Sequence, residues 1–393
     1  MIKPINNKPT LECKLCGSSN VARGFKYQDL PLYNLNYLNT QEDALKAKKA
    51  DVDFVLCHDC GFLFNSIYKQ LNYKVEYNAC RSDSHVFNQY LSNVVKFVIS
   101  NMDTKRPLNK IYKVVEVGAG DCQFATMLNN SIKNVIYNAY DPSWEMCNVD
   151  IKHDNPCHQG GVNKFAEYYC IQNDNPDLVV SRHVLEHQSD VKKFISILCR
   201  ENPEYIFIEI PCSSFVMKGN WHYYSNEHCS YLDTESLDLL MGKFEYKQVI
   251  IEHVFNTENI IAIYKRRVQK KYLTPELSIK NSGIQFEKFK TWRRHTLEKI
   301  NKNDMIWGAA GKGVMMMNIL GMANDKIPFI CDKNPDIWGK FIPITANKII
   351  SPSELKKIEF GKIIVMNELY LDEIKSEIIS MGIDTDVVFI GNL

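Results

Sequence analysis

A chain of 393 residues with a formal net charge of +1 has the length for two or three domains with real cores. That charge balance excludes the large basic footprint of a nucleic-acid or anionic-membrane binder. No run reaches the roughly 18 apolar residues of a membrane span, and Met1-Ile-Lys-Pro-Ile-Asn6 lacks a signal-peptide core, so a cytoplasmic protein is expected, its thirteen cysteines being reduced thiols or metal ligands.

The first elements are two knuckles, Cys13-Lys-Leu-Cys16 and Cys57-His-Asp-Cys60, each followed by a glycine, Gly17 and Gly61. Two thiolates from each knuckle can share one ion while the glycine supplies the turn behind it. Four thiolates with no open position spell structural zinc; the alternative is four reduced, metal-free thiols. A redox role would need a βαβ context that this stretch lacks. The knuckles lie farther apart than in a usual zinc ribbon, so residues 28–50 are expected to loop out. Residues 1–75 read as a small zinc-binding domain. Cys80, Cys122, Cys147, Cys157, Cys170, Cys199, Cys212, Cys229 and Cys331 read as ordinary buried thiols.

From Asp83 to Ile99, Val86, Tyr90, Val94 and Phe97 recur at helical spacing and predict a lead-in helix. Val114–Val117 suits a buried parallel strand. Glu116 interrupts it, and a buried carboxylate needs a polar partner. Gly118 and Gly120 allow a tight turn before a helix beginning near Cys122. A second strand, Asn134–Tyr140, ends in Asp141, where a carboxylate can accept from two ribose hydroxyls. A dinucleotide site wants Gly-x-Gly-x-x-Gly. Here Gly120 is followed by Asp121-Cys122-Gln123-Phe124, and an acid beside the turn repels pyrophosphate but suits a cationic ligand.

Leu178–Ser181 is the next strand, with Arg182-His-Val-Leu-Glu-His187 at its end. Ligands of open α/β sheets lie beyond the carboxyl ends of the strands, so these residues face the pocket. Tyr205–Ile210 follows, closed by Pro211, and Phe244–Val254 with Ile260–Tyr264 form an antiparallel hairpin. Between them, Trp221 to Leu232 holds four aromatics, two histidines and Glu227. Such a loop would cover a ligand, and a histidine beside a glutamate can serve as a general base. The bland alternative is a packed aromatic loop.

Residues 271–303 predict a connecting helix, with Phe286, Phe289 and Trp292 on its packed face. A second βαβ pattern follows over 304–393: strand Met305–Gly308, a Gly308-Ala-Ala-Gly-Lys-Gly313 turn, helix Val314–Leu320, and strand Ile327–Cys331 ending in Asp332. Lys312 precedes Gly313 rather than Ser or Thr, so this is not a phosphate-binding P-loop. A Rossmann-like accessory domain is expected, with a dinucleotide site as the weaker alternative.

Glu116-x-Gly118-x-Gly120 with a downstream acid resembles motif I of the class I methyltransferases, which bind S-adenosylmethionine, and a final hairpin on a parallel sheet is a mark of that class. The whole pattern resembles the three-domain sugar C-methyltransferases. It is carried by the zinc knuckles, Glu227-His228, Ile306-Trp-Gly-Ala-Ala-Gly-Lys-Gly313, Asp332-Lys-Asn-Pro335, Gly339-Lys340, Ile350-Ser-Pro352 and Met366-Asn367. The resemblance implies an α/β chain with a zinc-binding N-terminal domain, a methyltransferase core over 76–270 and a Rossmann-like C-terminal domain. It implies donor contacts from Glu116, Gly118, Ala119, Gly120, Asp121, Phe124, Asp141, Pro142, Lys164, Phe165, Ser181, Arg182 and His183. The acceptor would be a nucleotide-linked keto sugar, deprotonated to an enolate by a base drawn from His228, Glu227 and His187, with Tyr77 as the match for an early tyrosine.

One departure stands out. The family's loop carries a tyrosine two residues before the glutamate, where this chain has Ser225, and the neighbouring phenol is Tyr224. A one-residue shift in an extended loop turns a side chain to the other face. Methylation of a sugar hydroxyl in surface-polysaccharide synthesis therefore stays open, as does a non-catalytic scaffold with a vestigial donor site. The expected partner is the sugar nucleotide alone, with no nucleic acid or membrane, in a monomer or weak dimer.

Overall fold

The computed structural model describes residues 11–72, 84–102, 111–142, 162–165, 174–267 and 286–393. Strands β1 (Val21–Pro31) and β2 (Lys49–Cys57) pair antiparallel from Val21↔Cys57 to Pro31↔Lys49, with helix α1 (Gln41–Leu45) between them. β3 (Leu63–Asn65) returns along β2. Segment 28–50 does not loop out. Its two ends extend the strands, and its middle packs on the far end of the chain: Leu35 and Tyr37 join the C-terminal core, and Leu38 bridges to Phe341. Apolar side chains in that segment have a surface to bury, which a free loop would leave wet.

Helix α2 (His85–Asn101) starts at Ser84, whose hydroxyl accepts from the Phe87 amide, and buries Tyr90, Leu91, Val94, Val95 and Val98. The core sheet then builds from β4 (Tyr112–Val117), helix α3 (Gln123–Ser131), β5 (Val135–Tyr140), β6 (Val162–Phe165) and β7 (Leu178–Arg182). Helix α4 (Val191–Leu198), β8 (Tyr205–Pro211), the short helix α5 (Ser213–Met217), β9 (Ser230–Tyr231) and helix α6 (Thr234–Gly242) follow, and β10 (Tyr246–Val254) and β11 (Asn259–Arg266) close the series. The seven-stranded sheet runs β10-β11-β8-β7-β4-β5-β6. β4 to β8 are parallel, and β11 lies antiparallel between β8 and β10. The order turns back at β4, opening a crevice beyond the carboxyl ends of β4 and β7.

β9 does not belong to that sheet. It pairs with β3 as the fourth strand of the N-terminal sheet, Leu63 opposite Tyr231 and Phe64 opposite Ser230. The loop carrying Glu227 and His228 is thus hydrogen-bonded to the strand that follows the second cysteine knuckle.

Helix α7 (Phe286–Lys299) leads to a third sheet of five parallel strands: β12 (Met305–Trp307), β13 (Phe329–Cys331), β14 (Lys348–Ile350), β15 (Ile363–Val365) and β16 (Val387–Phe389), in the order β14-β13-β12-β15-β16. Helix α8 (Gly311–Leu320) follows β12, and helix α9 (Leu371–Ser380) precedes β16. An aromatic cluster joins the three units: Phe25 stacks on Tyr224 at 4.4 Å and on Trp221 at 5.9 Å, and meets Phe289 edge-on at 5.0 Å. Phe289 and Trp292 of α7 therefore do pack, as their spacing predicted. Among the described residues no helix is long and apolar enough to cross a membrane.

Candidate active site

The turn after β4 is tied to the end of β5. The Gly118 amide donates to Tyr140 O at 2.8 Å, and the Gly120 amide to Asp141 Oδ2 at 2.8 Å. Gly118 has φ +79°, and a Cβ there would overlap Val184 Cγ2, so both conformation and space demand glycine. Ala119 is buried, Pro142 half-buried, and Asp121 Oδ1 accepts from the Gln123 amide at the start of α3. Glu116 has the partner its burial requires: Tyr137 donates its hydroxyl to Oε2 at 2.8 Å.

Beneath the crevice lies a polar layer that sequence reading did not assemble. Glu209, fully buried on β8, accepts from Arg182 Nε at 2.6 Å, from the Tyr90 hydroxyl at 2.5 Å and from His183 Nε2 at 2.9 Å. His183 turns its other nitrogen to Glu186 at 3.3 Å, from a backbone with φ +52°. Burial alone would push His183 down, but the two carboxylates outweigh it and hold the imidazole up at about 10, protonated. Burial likewise works to raise Glu209 and Glu186, and the facing cations keep both below the usual range. The available signal was an acid inside the apolar run Ile206-Phe-Ile-Glu209-Ile210, the same signal as Glu116.

Arg182 and Phe124 belong to this layer: Arg182 pairs with Glu209, its guanidinium carbon lies 4.5 Å from the centre of the Phe124 ring, and Phe124 is buried. Ser181, one residue before the end of β7, has its hydroxyl buried and without a partner among the described residues. Tyr77 lies outside the described residues. Lys164 and Phe165 are described only as the backbone of β6.

His187 and His228 come together with ring centroids 4.7 Å apart, nearly perpendicular. Glu186 joins them: ligand atoms of the three lie within 4.8 Å of one another, a spacing a divalent cation could also bridge. Glu186 Oε2 is buried and has no hydrogen-bond partner among the described residues. Burial pushes both imidazoles down, and His187 adds to the effect on His228, which falls to about 3. Both rings are therefore neutral near pH 7.

Glu227 and Tyr224 are not part of this pair. Glu227 Oε1 accepts from the Asn34 amide at 2.6 Å, so its carboxylate faces the N-terminal segment rather than His228. Burial raises it to about 7 against the hydrogen bonds from Asn34 and Leu35. The acid that faces the histidines is Glu186. Tyr224 is fully buried in the aromatic cluster, its hydroxyl without a partner among the described residues. The phenols on the histidine side are Tyr223 and Tyr231, each with its ring 6.1 Å from that of His228.

The four knuckle cysteines converge. Cys13 and Cys60 sulfurs lie 3.5 Å apart, as do those of Cys16 and Cys57, and all four lie within 4.8 Å of one another. Tetrahedral zinc with bonds of about 2.3 Å needs sulfurs about 3.8 Å apart, so the donor set fits. Gly17 and Gly61 take positive φ and return their amides to Cys13 O and Cys57 O. Cys122, Cys212, Cys229 and Cys331 are buried thiols outside any disulfide and Cys199 a half-buried one; Cys80, Cys147, Cys157 and Cys170 lie outside the described residues. In the C-terminal sheet Asp332 is already occupied, accepting from the Ala309 amide at 2.6 Å and the Asn334 amide at 2.8 Å.

A seven-stranded sheet of this order, with an antiparallel strand inserted beside the fifth, is the class I methyltransferase architecture, and residues 83–250 match the family model of a methyltransferase domain. The middle of the chain is a class I S-adenosylmethionine-dependent methyltransferase domain. Residues 300–389 match a second model, described as C2185-like, N-terminal. No curated protein matches the chain. Among solved structures it is similar to the magnesium protoporphyrin IX methyltransferase of Synechocystis PCC 6803 with bound S-adenosylhomocysteine, at 12 % identity over 46 % of this chain and 84 % of that one, TM-score 0.35. It is also similar to the CurJ carbon methyltransferase (12 %, 47 % and 56 %, TM-score 0.36). An O-methyltransferase family protein from Burkholderia thailandensis is comparable (11 %, 46 % and 58 %, TM-score 0.35). The chain spans just over half the length of the last two.

Proposed function

We propose that this chain transfers a methyl group from S-adenosylmethionine to a carbon of a nucleotide-linked keto sugar. The observation that carries the reading is the neutral pair His187–His228 beside the unpartnered oxygen of Glu186, at the strand ends next to the Gly118–Asp141 corner. Gly118, Ala119, Gly120, Asp121, Asp141, Pro142, Ser181 and His183 would surround the donor, with Lys164 and Phe165 near its base. Acids outnumber cations in the layer beneath, Glu116, Glu186 and Glu209 against Arg182 and His183, which favours a ligand with a positive sulfonium.

The donor supplies an electrophilic methyl. A ketone acidifies the carbon next to it, and a neutral imidazole of the pair takes that proton. The Glu186 oxygen then faces an imidazolium, which it stabilises in a site of low dielectric. The enolate carbon bonds to the methyl carbon as the sulfur–carbon bond breaks, leaving a neutral thioether. Cys13, Cys16, Cys57 and Cys60 would hold structural zinc, which tethers the loop through β3 and β9.

The test is incubation with S-adenosylmethionine and a thymidine-diphosphate 4-keto-6-deoxy sugar, with deuterium exchange at the acidic carbon followed separately. His228→Ala is expected to lose exchange and transfer together. Unchanged turnover in that variant would reject the base assignment.

A further inference from the structure

Beside the histidine pair, four polar side chains meet across two units of the fold. Lys312, in the first turn of α8, places Nζ 2.6 Å from Glu258 Oε2 in the turn between β10 and β11, and 5.7 Å from the centre of the Tyr223 ring. Tyr223 donates its hydroxyl to the other oxygen of Glu258. His222 lies against Tyr223, ring centroids 4.7 Å apart, and among the described residues neither of its nitrogens has a partner although both are out of solvent. Burial, and then the charge of Lys312, keep His222 neutral, so it can donate from one nitrogen and accept at the other.

Stability does not explain this cluster. A half-buried lysine–glutamate pair gains little over an apolar pair of the same volume. A buried imidazole with both nitrogens unmet costs about 1–3 kcal/mol for each unsatisfied group. Native proteins keep such groups where a ligand or water completes them. The backbone carrying Lys312 is also pinned: a Cβ at Gly313 would overlap Gly308 O, so α8 packs directly on the end of β12. Charge narrows the ligand. Lys312 is already neutralised by Glu258, so the cluster offers matched donors and acceptors beside an aromatic face and no net charge for a phosphate. That is the chemistry that recognises the hydroxyl groups of a sugar ring.

We infer that Lys312, Glu258 and His222 form a subsite for the hydroxyl-bearing face of the acceptor, and that the C-terminal unit thereby completes the active site of the middle one. This rests on the sugar reading above and assigns to that sugar the residues that hold its ring.

The test compares two probes by calorimetry on the full chain saturated with S-adenosylhomocysteine: thymidine diphosphate and thymidine-diphosphate glucose. The wild type is expected to bind the glucose form more tightly, by about tenfold or more. Lys312→Met and His222→Phe should bind both probes alike, with unchanged affinity for S-adenosylhomocysteine. The double variant Lys312→Met/Glu258→Gln removes the unpaired carboxylate in case the single variant unfolds. Variants that keep the preference for the glucose form overturn the subsite and leave the sugar reading standing. Equal binding of both probes by the wild type also overturns it. Loss of S-adenosylhomocysteine binding in the variants would make the cluster a structural tie instead. A wild type that binds neither probe removes the sugar reading and the subsite with it.

Discussion

Replacing Gly118 with alanine tests the donor corner where it is least forgiving. The residue has φ +79°, and the added methyl would overlap Val184 Cγ2. A left-handed conformation costs a non-glycine residue about 1–2 kcal/mol, and forcing an extra methyl into packed space adds about 1–3 kcal/mol. The turn can escape that strain only by moving the amides of Gly118 and Gly120 off Tyr140 O and Asp141. Binding a ligand in the corner would then have to restore the strained form. Calorimetry should therefore show S-adenosylhomocysteine binding weakened by about 2–5 kcal/mol, roughly thirtyfold or more at 1.4 kcal/mol per decade. Gly118→Ala/Val184→Ala removes the overlap and leaves the backbone strain, so it should recover all but about tenfold. Wild-type affinity in the single variant, or a double variant no better than the single, would refute the reasoning.

Further outcomes follow from the same geometry. Glu227 is raised to about 7 from an ordinary value of 4.5. The folded chain thus keeps a proton the unfolded chain has released, and stability falls as pH climbs from about 4.5 through 7. Glu227→Gln keeps a carbonyl for the Asn34 amide and removes that slope, so melting curves from pH 5 to 8 should show the variant gaining on the wild type by on the order of 2 kcal/mol; parallel curves would contradict this. Turnover should survive Glu227→Gln and collapse in Glu186→Gln, and the reverse order would return Glu227 to the base. Tyr224→Phe removes a buried, unpartnered hydroxyl and should be neutral or stabilising by up to about 1 kcal/mol in denaturant titrations, with transfer intact. Metal analysis should find one zinc per chain, and stripping it should abolish transfer, because β3 and β9 link the knuckles to the loop that carries His228.

Local patterns were readable in the sequence, and contacts between distant residues were not. The turn at Gly118 and Gly120, the strand ending in Asp141, the lead-in helix and the two knuckles each depend on spacing within a short window, and strand alternation or a glycine's φ preference leaves a mark there. Glu116 announced its need for a partner, yet nothing local named Tyr137. Glu209 carries the same signal, but no motif surrounds it to give it a role. The direction of Glu227 depends on Asn34, and that of Tyr224 on Phe25 and Phe54; all three partners lie about 170 to 200 residues away in sequence. Segment 28–50 read as a loop because its packing partner, the C-terminal sheet, comes at the other end of the chain.

The most direct measurement of the central claim uses S-adenosylmethionine carrying a carbon-13 methyl and a thymidine-diphosphate 4-keto-6-deoxy sugar. The label is predicted to appear in the sugar as a carbon-bound methyl resonance, far upfield of a methoxy group, and to vanish with His228→Ala. A methoxy resonance would move the acceptor from carbon to oxygen, and no label in any sugar product, with the donor bound, would contradict the account.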